Sequence, residues 1–335
     1  MEILEISVSK IDIEKNEVEI IKYDNTNEDD FGKYLRGLID LVISSNGRLF
    51  EFERDTTEVC AQIRRIESDG FTSVSSTIAK RLLSIEKKSQ EKMAGNLGTE
   101  LLKGIIVQAL VMINDVNKFI ICKADHWDFI NEDSLKKQKG LPIKKKVFKS
   151  FTCNLVDAKI ENILIFDSNL TQYWCKDFLE LNEVHSDEYN TETALSEIEN
   201  GVFSKMKKKH PEDYIYLRNS FVHYFKSRDT FEINDFLDNA VGNYIPVDPS
   251  LNVEVDIKSK IRQMDAFDEQ FRIIKEKVTA RSITTKLQLT KQIDLVIKEN
   301  IINIENVIIL EYSRDGKYVK IRVDESFKIP DKKNN

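Results

Sequence analysis

The chain has little of what marks the commonest specialised classes of protein. Its 335 residues include only 11 Gly and 5 Pro, too few for a collagenous, linker-rich or low-complexity chain. The four cysteines (Cys60, Cys122, Cys153, Cys175) are scattered and no pair has CxxC spacing. That pattern argues against a disulfide framework and points to free thiols in a reducing compartment. The four histidines (His126, His185, His210, His223) lie far apart, so sequence-local zinc spacing is missing and no metal is expected. No apolar run reaches the ~18 residues that a membrane helix needs, and no secretory signal is recognisable, so a cytoplasmic protein without membrane contact is expected. No GxSxG elbow, P-loop or GxGxxG occurs, and neither a catalytic residue nor a cofactor is expected. Cys122 lies four residues before His126, but strand residues so spaced share a face without touching, and a buried structural thiol is the expectation.

Charge of one sign is what the chain has in a single place. Of 50 Lys and Arg, seven lysines fall within KKQKGLPIKKKVFK, namely Lys136, Lys137, Lys139, Lys144, Lys145, Lys146 and Lys149, and no carboxylate is among them. The chain is acidic, with a net charge of −7; removing these seven cations leaves the remainder at −14. A cationic window on an anionic body attracts a polyanion such as nucleic-acid phosphate. Phe148 and Phe151 stand beside it as aromatic support. A second run, Lys205 to His210, contains Lys207, Lys208 and Lys209 at a helix C-terminus, where cations also complement the helix dipole. These lysines are the candidate phosphate contacts. They position a protein on DNA without reading bases, so the expected binding is not sequence-specific.

The 41% hydrophobic content fills real cores, and the length suits two or three domains. Alternating apolar positions from Ile3 to Lys22 predict a hairpin, and Leu35, Leu38, Ile39 and Val42 a helix ending near Asn46-Gly47. A short strand at Leu49–Phe52 and a helix capped by Thr56 follow, then an amphipathic helix from Thr72. Ile105–Ile113 and Lys118–Ala124 form the strongest strand pair, and the lysine window is read as an irregular connection to strands at 145–156 and 162–166. Helices are expected at 170–181, 191–209, 211–226 and 233–240, with helix bias from Ile257 to Ile274. Four strands close the chain, the last two joined by Arg314-Asp315-Gly316-Lys317 as a type I′ hairpin. The expected fold is α+β: an N-terminal mixed sheet with flanking helices (1–166), a central helical region (167–245), a C-terminal helix plus β-hairpin domain (246–330) and a frayed tail (331–335). The aromatics Tyr173, Trp174, Phe178, Tyr214, Tyr216, Phe221, Tyr224 and Phe225 are read as core or a self-association surface.

A metal-dependent nuclease is one alternative. It would need carboxylates at strand ends to hold Mg²⁺, and Glu51, Glu53, Asp125, Asp128 and Asp167 are the candidates. A protein-interaction subunit, docking its cationic loop on an acidic surface such as Asp177 to Glu199, is another. The order of elements, through Phe71–Lys87, Ala109–Asp125, Ile163–Leu181 and Ser227–Val241, resembles the bacterial nucleoid-associated protein family typified by the enterobacterial nucleoid protein. The resemblance implies nucleoid localisation and non-catalytic DNA binding, and such a protein would also fit a genome-defence complex. It supplies no site residue. Partner proteins and a homo-oligomer are expected as well.

Overall fold

The computed structural model describes residues 1–23, 29–45, 47–93, 104–130, 137–141, 148–157, 159–167, 171–280 and 284–324. The expected tail, 331–335, lies outside them. The chain divides into two compact units, Met1–His185 and Ser186–Asn335. The expected boundaries at 166 and 245 are thereby replaced: Tyr173 to Leu181 packs into the N-terminal core, while residues on both sides of 245 share one C-terminal core. No helix among the described residues is long and apolar enough to cross a membrane.

In the first unit the chain runs β1 (Glu2–Asp12), β2 (Glu17–Ile21), α1 (Asp30–Ser44), β3 (Arg48–Phe52), α2 (Glu58–Arg64), α3 (Ile66–Asp69) and α4 (Phe71–Met93). It continues through β4 (Gly104–Ile113), β5 (Val116–Asp125), β6 (Trp127–Ile130), β7 (Lys137–Gly140), β8 (Phe148–Val156), β9 (Lys159–Asp167), a π-helical turn at Tyr173–Phe178 and β10 (Leu181–Glu183). Eight strands form one sheet in the order β10-β3-β9-β8-β5-β4-β1-β2. The α+β class stands, and the sheet, expected as mixed, is antiparallel in every pairing. Asn114 and Asp115, both with positive φ, make the tight β4–β5 turn that follows the twist of an antiparallel pair.

Both faces of the sheet are covered. Asp29 caps α1 by accepting the Gly32 N–H at 2.7 Å, and the helix packs Leu35, Leu38, Ile39 and Val42 onto Val8, Val107, Ile120 and Cys122. On the opposite face α2, α4 and the π-helical turn cover Phe119, Ile121, Phe151 and Ile165 with Val59, Val74, Ile78, Leu82 and Trp174. The cap of α2 is Thr57, one residue beyond the expected Thr56, and its side chain makes no capping bond. The lysine window is not wholly irregular, because Lys137 to Gly140 is β7, paired with β6.

The second unit runs α5 (Asp187–Ile198), a π-helical stretch at Glu199–Phe203, α6 (Ser204–Lys209), α7 (Pro211–Ser227), β11 (Thr230–Glu232) and α8 (Ile233–Phe236) with a π-helical turn at Leu237–Val241. A π-helical turn at Glu254–Lys258, α9 (Ser259–Arg262), β12 (Gln270–Arg272), α10 (Lys275–Ala280), β13 (Thr285–Gln288), β14 (Asp294–Ile297), β15 (Ile308–Ser313) and β16 (Gly316–Ile321) complete it. The helix bias expected to Ile274 ends at Arg262. Beyond it, Phe267 and Phe271 turn inward onto Phe231, and Gln270–Arg272 pairs with β11. The last hairpin forms with a different turn. Its two-residue loop is Arg314-Asp315, neither residue has positive φ, and Gly316 with φ 155° opens β16. Asp315 holds that loop by accepting from the Tyr318 hydroxyl at 2.6 Å. Tyr214, Phe221, Tyr224 and Phe225 are core residues of this unit, and Tyr173, Trp174 and Phe178 of the other.

Gly104 opens β4 opposite Asp125 of β5. A Cβ there would lie 2.2 Å from the Ala124 carbonyl oxygen, so a side chain forces the strands apart. Gly104→Ala is expected to destabilise the N-terminal unit by about 1–3 kcal/mol, read as a lowered midpoint in urea monitored by circular dichroism.

Candidate functional site

Two arrangements of charge stand out, one in each unit. The first is internal. On the α4 face of the sheet, cross-strand neighbours form successive rows, and the row Ile121–Phe151–Ile165 is apolar. The next row toward the sheet end is Lys123 on β5, Lys149 on β8 and Asp167 on β9. Asp125, two residues beyond Lys123 on β5, shares its face because strand side chains repeat every second residue. Glu86 descends from α4: Lys123 Nζ lies 2.5 Å from Glu86 Oε1 and 3.1 Å from Asp125 Oδ1. Lys149 Nζ lies 3.7 Å from Asp125 Oδ2 and 3.9 Å from Asp167 Oδ1, with the Tyr173 ring 5.8 Å away. Asp167 Oδ2 also accepts the Thr171 N–H at 2.8 Å and the Thr171 hydroxyl.

All five charged residues are buried. Burial pushes the Glu86 carboxyl up despite the Lys123 ammonium beside it. Burial opposes the Lys123 ammonium too, but Glu86, Tyr173 and Asp125 outweigh it and the amine titrates above its ordinary value.

This arrangement corrects one of the candidate contacts. Lys149 is 6% exposed and engaged by Asp125 and Asp167, so it closes the base of the lysine window and offers no charge to a ligand. The spacing of Asp125, Lys149 and Asp167 over more than forty residues hid their convergence, which follows only from the β5–β8–β9 pairing. Lys137 and Lys139 lie on β7, opposite Ile130 and Asp128 in the strand register. Lys136, Lys144, Lys145 and Lys146 lie outside the described residues. The nuclease candidates are only partly assembled: Asp125 and Asp167 meet across Lys149, whereas Glu51 on β3 and Glu53 just beyond it are exposed. Among the described residues no group of three or more His, Cys, Asp and Glu side chains is placed to hold a metal ion. Cys122 is buried on the α1 face, and burial pushes its thiol up.

The second arrangement is at the surface. The helical stretch from α5 through α6 ends in four exposed lysines: Lys205, Lys207, Lys208 and Lys209. None has a carboxylate partner among the described residues, and Lys207 lies 5.8 Å over the Tyr214 ring. The chain then turns at His210 into Pro211, which opens α7. Asp213 in the first turn of α7 is buried and accepts from the Tyr244 hydroxyl at 2.9 Å and from the Val247 and Asp248 N–H groups at 2.7 and 3.1 Å. Those bonds hold the loop after Val241 against the start of α7. Asp248 in turn meets His210 Nδ1 at 2.8 Å and accepts from the Ser250 N–H and hydroxyl at 2.9 and 2.7 Å. The Ser250 donors, with His210, bring the Asp248 carboxyl down to about 2.

A cleft of about 320 Å³ results, lined by Val202, Lys205, Met206, Lys209, His210, Ser250, Leu251, Asp256 and Lys260. Lys205 and Lys209 are one turn apart on the same helix face as Val202 and Met206, a spacing of three to four residues readable in the sequence. The contribution of Lys260 from α9 was not readable, because it depends on the Asp213-anchored loop.

No protein-family model matches this chain, and no curated protein matches it.

Removing Lys123 from the buried row should take from Glu86 the ammonium that contacts it and leave Asp125 with Lys149 alone. Lys123→Met is expected to cost about 3–5 kcal/mol of N-terminal stability, with part recovered in Lys123→Met/Glu86→Leu. Urea unfolding of the two variants checks this, and equal losses would show that Glu86 is not the coupled partner.

Proposed function

We propose that this protein is a non-catalytic DNA-binding protein that grips the phosphate backbone through clustered lysines, in keeping with its resemblance to nucleoid-associated proteins. The supporting observation is the set of exposed lysines at the end of α6. Lys207, Lys208 and Lys209 are free of carboxylate partners among the described residues, on a chain whose net charge is −7. Cations left unmatched on an acidic body are where a phosphate chain gains most, because each displaces condensed counterions from the DNA. Lys136, Lys137, Lys139, Lys144, Lys145 and Lys146 of the window remain phosphate contacts in this reading; Lys149 does not. The contacts carry no base recognition, so one duplex should serve as well as another. A protein of this kind sits on the nucleoid, alone or within a genome-defence complex, and homo-oligomers would multiply the contacts.

Fluorescence anisotropy with a short duplex at several salt concentrations tests the reading. Affinity should fall steeply with salt, and Lys207→Gln/Lys208→Gln/Lys209→Gln should flatten the log–log slope by about one for each lysine that meets a phosphate. Lys149→Gln should leave the slope unchanged and instead lower stability. An affinity indifferent to salt, or a slope untouched by the triple change, would overturn the proposal.

A further inference from the structure

The cleft behind α6 has a charge pattern that a DNA backbone contact does not require. Of its lysines, Lys260 is matched by Asp256 at 3.2 Å, and His210 Nδ1 meets Asp248 at 2.8 Å. Lys205 and Lys209 are matched by no carboxylate among the described residues, so two positive charges remain uncompensated at one concave site. Val202, Met206 and Leu251 supply apolar lining beside the lysines. His210 commits Nδ1 to Asp248, which leaves Nε2 as the ring nitrogen open to a ligand. A phosphodiester carries one negative charge, whereas a phosphomonoester carries about −1.5 to −2 near neutral pH. Two unmatched ammonium groups suit the monoester.

We infer that this cleft is a binding site for a phosphomonoester, held by Lys205 and Lys209 with His210 and Lys260 at its rim. Such a group is found on a free nucleoside monophosphate and at the 5′-phosphorylated end of a nucleic-acid strand. Both present the same chemistry. The volume of about 320 Å³ accommodates the phosphate and part of the attached nucleoside. The site lies wholly within the C-terminal unit, and it stands whether or not the backbone reading above holds.

The test measures three probes against the full chain: adenosine monophosphate by calorimetry, and one single strand with either a 5′-phosphate or a 5′-hydroxyl by anisotropy. Lys205→Gln/Lys209→Gln is compared with Lys291→Gln/Lys298→Gln, which removes the same charge from two other exposed lysines of the unit. The inference expects the nucleotide, or the phosphorylated strand in preference to the hydroxyl strand, to bind the unaltered chain. It also expects that binding to weaken at least about tenfold in the cleft variant, equivalent to loss of about 1.4 kcal/mol, and less than about twofold in the comparison variant. Nucleotide binding alone identifies a small-molecule site, and preference for the phosphorylated strand identifies a strand-end site. Absence of both, or equal weakening by the two double changes, overturns the inference. Loss of salt-sensitive duplex binding with nucleotide binding intact would remove the backbone proposal and leave this one standing.

Discussion

The N-terminal unit depends on neutralising charge inside its own sheet. Lys123 and Lys149 stand side by side across β5 and β8, where like charges would drive the strands apart. Asp125 contacts both amines, Glu86 meets the first and Asp167 the second. The contacts reach from one helix to three strands, so α4, β5, β8 and β9 must all be in register before every one of these contacts is made. Buried ion pairs seldom add much net stability over an apolar core, and their better-supported role is to penalise wrong arrangements. Here a slip of one residue in β8 would turn Lys149 to the other face and take its ammonium away from Asp125 and Asp167. The same row lies at the sheet end where the lysine window enters β8, so the window's last lysine is fixed by Asp125 and Asp167.

Much of the secondary structure was readable because its causes are local. Alternation in β1 and β2, the helical spacing of Leu35, Leu38, Ile39 and Val42, and the Asn-Asp turn after β4 each depend on a few neighbouring residues. The departures share a different cause. Gln270–Arg272 carries a helical bias that Phe267 and Phe271 override by packing on Phe231. Tyr173–Phe178 reads as the start of a helical domain, yet Trp174 and Phe178 are required to cover the sheet. Domain boundaries followed composition in the sequence and follow core membership in the fold, which is why 166 and 245 gave way to a division after His185.

The charged residues were readable as types and not as environments. Seven lysines in a row of fourteen look alike, but the last lies where β8 has entered the sheet, and its environment is set by Asp125 and Asp167 from other strands. The α6 lysines kept their exposure because a helix end offers few neighbours to pair with. Their separation into Lys205 and Lys209 on one side and Lys207 and Lys208 on the other follows from helix geometry alone. Closure of a cleft over the first pair does not, since it needs Asp213 to hold a loop more than thirty residues downstream.

The chain has two tryptophans, Trp127 and Trp174, and both belong to the unit that ends at His185. Trp174 is fully enclosed, 4.9 Å from Phe178 by ring centroids and adjacent in sequence to the Tyr173 ring that meets Lys149. The C-terminal unit has an aromatic nest of Phe and Tyr and no indole. Indole emission therefore arises in the N-terminal unit alone, with the enclosed Trp174 next to the ring that meets the charge row, and it labels that unit in the unmodified molecule.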